Sequence, residues 1–384
     1  MTTQRPTPPT ERLGDVSERA WRLHHEALLF DAHNDLPWQL RQKAGLSWGA
    51  LDIAEAQPSV HTDIPRMRAG GVKAQFWAVY VPADVCGGDA IVYALEQFDA
   101  LHRMHARYGD ELEFATSARD VERITATGRI ASLIGVEGGH AIGNSLAALR
   151  AYHRLGARYL TLTHNDTIEW ADSATDEPRH GGLTPFGEDV VRTLNELGML
   201  PDISHVSPDT MRHVLRVSRR PVVATHSNAF AIAPHPRNVP DDVLEGIARS
   251  GGVCCVNFCG AFLHPQGAAR WHELYELDRR LRAESADEQA YDAAIQAYEA
   301  EHPTPRGDVE TLVDHIDHIA RVAGIDHVGI GSDFDGIKTV PVGLDDVSCY
   351  PRITHALLER GYADGDIRKI LGDNLLRVLH DSAG

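Results

Sequence analysis

Eight short apolar runs, each followed by a stretch of helical character, recur in order along the chain, and few folds accept such an alternation. The runs are Leu28–His33, Val72–Val81, Ile130–Glu137, Tyr159–His164, Leu200–His205, Val222–His226, Val253–Phe258 and His327–Asp333. Helical stretches follow at Ala90–Tyr108, Ser145–Leu155, Phe186–Leu197 and Asp241–Arg249, and a pair at Ile353–Arg360 and Asp364–Leu379 ends the chain. Ser207-Pro208-Asp209 is a helix start, with Ser207 as N-cap and Pro208 in the first turn. The pattern predicts an α/β fold, a (β/α)8 TIM-type barrel. A doubly wound open sheet is the rival, and it is disfavoured because no Gly-x-Gly-x-x-Gly follows the first run.

A chain of 384 residues suits two or three average domains, yet one barrel with insertions fills the same length. We expect residues 1–20 to form a partly disordered N-terminal extension and residues 21–384 a single barrel domain. Two insertions break the alternation. Residues 38–70 follow the first strand and carry Trp38 and Trp48; residues 260–306 follow the seventh. Within the second, Trp271–Glu301 is charged, Ala-rich and helical in composition. It reads first as a solvated helical excursion, with a lid or a dimer contact as the alternative.

Charge excludes some partners. With 37 basic and 55 acidic residues the net charge is −18, which opposes nucleic acid and anionic membranes. The five cysteines form no Cys-x-x-Cys pair and read as buried free thiols. The first ten residues are polar and lack the apolar core of a signal peptide. No run is long enough to span a bilayer. The expectation is a soluble cytoplasmic protein, with a symmetric homodimer as the default assembly.

Polar residues stand where apolar strands should end. His33 and Asp35 close the first run, two apart and so on one face of a strand. Glu137 closes the third, His164 the fourth, His205 the fifth, His226 the sixth and Asp333 the eighth. In a barrel these ends converge on the C-terminal mouth, where active sites are built. Three histidines, a glutamate with two oxygens and two aspartates suffice for two adjacent Zn²⁺-like ions. Glycines beside Glu137 permit close backbone approach. Two metals roughly 3.5–4 Å apart share a hydroxide, lower its pKa and polarise a carbonyl. Asp333 is placed to move the proton, and His164 to aim a donor at a developing oxyanion. Arg237 follows His226 in a loop; it reads as a clamp for a substrate carboxylate or as an ordinary surface arginine. Asp335 precedes Gly336 and reads as a turn residue. His24, His25, His102, His105, His153, His213, His315 and His318 fall in helical stretches and are expected to face solvent, and His140, close to Glu137 in sequence, to support the site from behind or to be structural.

Taken together, these segments resemble the renal (membrane) dipeptidase family of zinc peptidases, within the amidohydrolase superfamily. They are Asp31-Ala32-His33-Asn34-Asp35, Val136-Glu137-Gly138-Gly139-His140, Thr161-Leu162-Thr163-His164-Asn165, Ile203-Ser204-His205-Val206-Ser207, Thr225-His226-Ser227, Arg237-Asn238-Val239-Pro240 and Gly331-Ser332-Asp333-Phe334-Asp335-Gly336. The resemblance implies two Zn²⁺ per chain, His33 and Asp35 holding one, His205 and His226 the other, and Glu137 bridging. It implies His164 as the residue that steadies the tetrahedral intermediate, Arg237 as the carboxylate anchor and Asp333 as the catalytic acid/base. It implies a dipeptide substrate, L,L and possibly L,D in configuration. A related hydrolase of N-acyl amino acids, lactones or β-lactams is the alternative, and a non-catalytic binding barrel is a third reading.

Overall fold

The computed structural model describes residues 13–284 and 288–383. The expectation for residues 1–12 lies outside the described residues. Leu13 is buried, and the first helix, α1, already begins inside the expected extension, at Glu18–Glu26, capped by the Ser17 hydroxyl.

Among the described residues nine parallel strands form one sheet. They are β1 (Leu29–Asp31), β2 (Val72–Tyr80), β3 (Leu112–Phe114), β4 (Ile130–Glu137), β5 (Ala157–Thr161), β6 (Leu200–Asp202), β7 (Val223–Ala224), β8 (Val253–Val256) and β9 (Val328–Ile330). Eight of them close a barrel: β1 pairs with β9 on one side and β2 on the other, and β2 pairs with β4 over seven residue pairs. The ninth, β3, is not foreseen by the alternation. It holds Ile130–Ser132 of β4 before β5 takes over the same edge at Ile134.

The helices follow as α2 (Leu36–Ala44), α3 (Ile64–Ala69), α4 (Gly87–Arg107), α5 (Ala118–Ala126), α6 (Leu146–Arg154), α7 (Pro185–Leu197), α8 (Pro208–Val217), α9 (Asp241–Arg249), α10 (Gly260–Leu263), α11 (Pro265–Glu284), α12 (Glu288–Glu301), α13 (Val309–Ala323), α14 (Pro351–Glu359), α15 (Asp364–Arg368) and α16 (Asn374–Ser382). Ser207 caps α8 as expected, accepting from Thr210 N. Both insertions are present: α2 and α3 lie between β1 and β2, and α10 to α12 between β8 and α13. The expected last helix is interrupted by a π-turn at Lys369–Asp373, after which Asn374 ties α16 to the start of β9 through Ile325 O and Val328 O.

Two apolar layers result. Inside the barrel Phe30, Phe76, Leu133, Tyr159, Leu200 and Cys255 pack together, joined by Leu375 and Leu379 of α16. Outside, the helices bury their apolar stripes on the strands. Among the described residues no helix is long and apolar enough to cross a membrane.

Several helical histidines depart from expectation. His24 and His315 are fully buried and His318 nearly so. His24 bridges Thr354 Oγ1 and Gly70 O, and His315 meets Ala229 N and Leu263 O. They face inward because each ring satisfies two polar groups that the packing removes from water. All five cysteines are free, but Cys86 is exposed and Cys259 half-buried.

Candidate active site and metal centre

Except for β4, which runs through Glu137 itself, the strands end sooner than the apolar runs, and the polar residues lie just beyond them, where the backbone is free to turn. His205 and Asp333 follow β6 and β9 with φ of 69° and 63°. A left-handed backbone is costly for residues other than glycine, and here it directs both side chains into the mouth. Asp35 stands at the N-cap position of α2, and Glu137 is the last residue of β4.

These residues meet. Glu137 Oε2 lies 3.5 Å from His33 Nε2, while Oε1 lies 3.1 Å from His205 Nε2 and 3.5 Å from His226 Nε2. Its two oxygens therefore serve separate partners. Asp35 Oδ2 is 3.2 Å from His33 Nε2. His164 Nε2 stands further off, 4.0 Å from Glu137 Oε1, with its ring 4.4 Å from that of His205. Three sets of donor atoms are close enough to share an ion: His33–Glu137–His226, Glu137–His164–His205 and His33–Asp35–Asp333.

The donor chemistry fits divalent cations. His33 Nε2 and His226 Nε2 are buried and have no hydrogen-bond partner among the described residues, an expense a bound ion would remove. Their other nitrogens are engaged, His33 Nδ1 with Tyr159 OH at 2.9 Å and His226 Nδ1 with Thr225 Oγ1 at 2.8 Å. Burial, reinforced by Arg237 for His205 and by His33 for His226, holds both imidazoles well below the usual histidine range, hence neutral and able to ligate. Burial alone would raise Glu137, but the His33 charge and the close approach of the surrounding imidazoles outweigh it and keep the carboxyl well below its ordinary value. Glycines are required beside these groups. A Cβ on Gly336 would stand 2.3 Å from Asp35 Oδ2 and 2.5 Å from Asp333 Oδ1, and one on Gly139 would meet Leu162 O at 2.2 Å.

Asp333 accepts from Asn257 Nδ2 at 2.8 Å, and burial pushes its carboxyl up to about 6, with Glu137 adding and His33 opposing. Burial lowers His164 to about 4, so it is a neutral imidazole at physiological pH. Arg237 is no surface residue. It is 2% exposed, and among the described residues its only guanidinium hydrogen bonds are long ones to Ser227 Oγ and His226 O, with no partner at Nε. Burial lowers it to about 10, which leaves it charged at neutral pH. Its donors border a mouth cavity of about 550 Å³ shared with Asp35, Glu137, His164 and Asp333.

Asp335 stays outside the cluster. Its Oδ1 accepts from His61 N and its own N–H is bound by His61 Nδ1, in keeping with a turn role. His140 bonds the Val81 and Pro82 carbonyls and is structural. Sequence reasoning missed Asn257, the polar residue that breaks the seventh apolar run, and Tyr159, a phenol inside the fourth. It also missed two buried carboxylates ahead of candidate ligand histidines, Asp31 and Asp202. Asp31 accepts from His33 N, Ser332 N, Ser332 Oγ and Tyr350 OH. The 260–306 insertion is more than a solvated excursion: Phe262, Trp271, Glu299 and Thr304 line the cavity opposite Trp38 and Tyr80.

Comparison with known proteins agrees with this geometry. The family described as membrane dipeptidase (Peptidase family M19) matches residues 17–383. The probable dipeptidase PvdM from Pseudomonas aeruginosa is 25% identical, with 97% of this chain and 99% of that one aligned and a TM-score of 0.84. A metallopeptidase from Rhodobacter sphaeroides, liganded with a phosphinate mimic of the dipeptide L-Ala-D-Ala, is 27% identical over 93% of this chain and 99% of that one, with a TM-score of 0.77. The chain belongs to the M19 membrane dipeptidase family. It is a hydrolase, a metal-dependent dipeptidase on a TIM-type barrel.

Proposed function

We propose that the chain hydrolyses dipeptides bearing a free C-terminal carboxylate, using two Zn²⁺ ions. His33 and Asp35 would hold one, His205 and His226 the other, and Glu137 would bridge. The observation that carries this reading is the divergence of the two Glu137 oxygens toward His33 on one side and His205 and His226 on the other. When bound, such a pair of cations lowers the pKa of water and polarises a carbonyl.

The chain's own residues supply the rest. Arg237 presents buried, under-used N–H donors to the substrate carboxylate, a two-point match of planar groups. This anchors the substrate one residue beyond the scissile bond and limits cleavage to dipeptides. Neutral His164 donates toward the carbonyl oxygen as negative charge develops there. Asp333, raised toward neutrality by burial, takes a proton from the attacking water and passes it to the leaving amine. Asn257 holds the far oxygen of that carboxyl. The ligand of the Rhodobacter enzyme supports testing a D-residue in second position.

The test is a panel of L,L- and L,D-dipeptides, their C-terminal amides, N-acyl amino acids, lactones and β-lactams. Free dipeptides should be cut best, chelation should abolish turnover and Zn²⁺ should restore it. Undiminished turnover after metal removal, or preference for the acylated substrates, would overturn the proposal.

A further inference from the structure

Asp202, the last residue of β6, is a fully buried carboxylate that forms no ion pair among the described residues. Four donors meet it instead. Oδ1 accepts from Ser204 N at 3.0 Å and Thr225 N at 2.9 Å; Oδ2 accepts from Thr161 Oγ1 at 2.6 Å and Thr225 Oγ1 at 2.7 Å. One carboxylate thus joins the ends of β5, β6 and β7, the strands from which His164, His205 and His226 spring.

The decisive atom is the Thr225 hydroxyl. It has one hydrogen, and that hydrogen is committed to Asp202. The 2.8 Å contact between Thr225 Oγ1 and His226 Nδ1 is then satisfied only if the imidazole donates. His226 carries its proton on Nδ1, and Nε2 is left as a bare lone pair. That Nε2 is the buried, partnerless atom 3.5 Å from Glu137 Oε1. His33 contrasts with it. Its Nδ1 faces the Tyr159 phenol, which either donates or accepts, and no other hydrogen bond commits that phenol among the described residues.

We propose that Asp202 is a positioning residue that acts through Thr225 to lock His226 in the tautomer a divalent cation requires. This rests on the proposed role of His226 as a ligand. Outer hydrogen bonds of this kind orient metal-binding histidines and raise their basicity, and their loss typically weakens metal affinity roughly 10–100-fold.

The experiment measures Zn²⁺ stoichiometry and affinity of the full chain by competition with a chromophoric chelator. The proteins compared are the unmutated one, Thr225→Val, Thr225→Ser and Asp202→Asn. Thr225→Val keeps the shape and removes the hydroxyl; it should weaken one of two sites roughly 10–100-fold. Thr225→Ser should bind as the unmutated protein does. Asp202→Asn offers the hydroxyl an amide that donates as well as accepts, and should resemble Thr225→Val; if it does not fold, the Thr225 pair decides alone. Full affinity at both sites in Thr225→Val, or equal weakening in Thr225→Ser, would overturn the inference. Absence of zinc from the unmutated protein would instead sink the two-metal reading beneath it.

Discussion

Asn257 donates from its side-chain amide to Oδ2 of Asp333 at 2.8 Å, and this is what β8 adds to a mouth where six other strands deliver candidate ligands or proton carriers. The same amide also reaches His226 O, and Asn257 Oδ1 accepts from Cys259 N, so the group cannot rotate freely. The bond favours the charged form of Asp333. Asn257→Ala should therefore lower kcat by about 10-fold or more, the worth of one hydrogen bond to a charged group. It should also move the acidic limb of the pH–rate profile upward. Steady-state kinetics across pH check both, and an unmoved limb would leave Asn257 a packing residue only.

Arg237→Ala should raise KM for free dipeptides by about 100-fold, since two charge-assisted hydrogen bonds are lost. Arg237→Lys should recover only part, because a point charge cannot reproduce the planar fork. C-terminally amidated dipeptides should be poor substrates of the unmutated enzyme and indifferent to either change.

Trp271 should set preference at the C-terminal residue. Its ring lies 4.3 Å from His235, which packs 4.5 Å from Phe262, and Phe262 lies 5.2 Å from the Arg237 guanidinium carbon. Trp271→Ala should reduce the preference for large apolar over small C-terminal residues by about 10-fold, the worth of one or two lost apolar contacts. Ratios of kcat/KM for dipeptides ending in Phe, Leu and Ala measure it. Unchanged ratios would return the insertion to a solvated excursion.

Acid should destabilise the fold through its buried imidazoles. Burial holds His24 at about 3 and His315 at about 4 in the folded state, against 6.5 for a free side chain. Between those values the unfolded chain binds more protons, so stability is complete above pH 6.5 and falls as pH drops toward 3. Each residue should cost close to 1.4 kcal/mol per pH unit there. Denaturant unfolding at pH 7, 6 and 5 tests this, and His24→Gln should remove one increment of the slope.

Much of the site was legible because the barrel concentrates strand ends at one mouth. His33, Asp35, Glu137, His164, His205, His226 and Asp333 each interrupt or follow an apolar run, and all gather at that mouth. Arg237 was less legible: a loop arginine looks the same whether exposed or buried, and its placement under the insertion is a tertiary fact. β3 escaped because three residues, two of them half-buried, leave no period to read. The inward helical histidines escaped because a ring that satisfies two distant polar groups has no local signature. The supporting residues Asn257, Asp31 and Asp202 were visible as polar breaks in apolar runs, yet what they hold depends on strands far away in sequence.

The most direct measurement is anomalous diffraction at the zinc edge from crystals of active, zinc-reconstituted protein. Two peaks should flank the Glu137 carboxylate, one beside His33 and Asp35 and the other beside His205 and His226. A single peak, or none touching Glu137, would contradict the account.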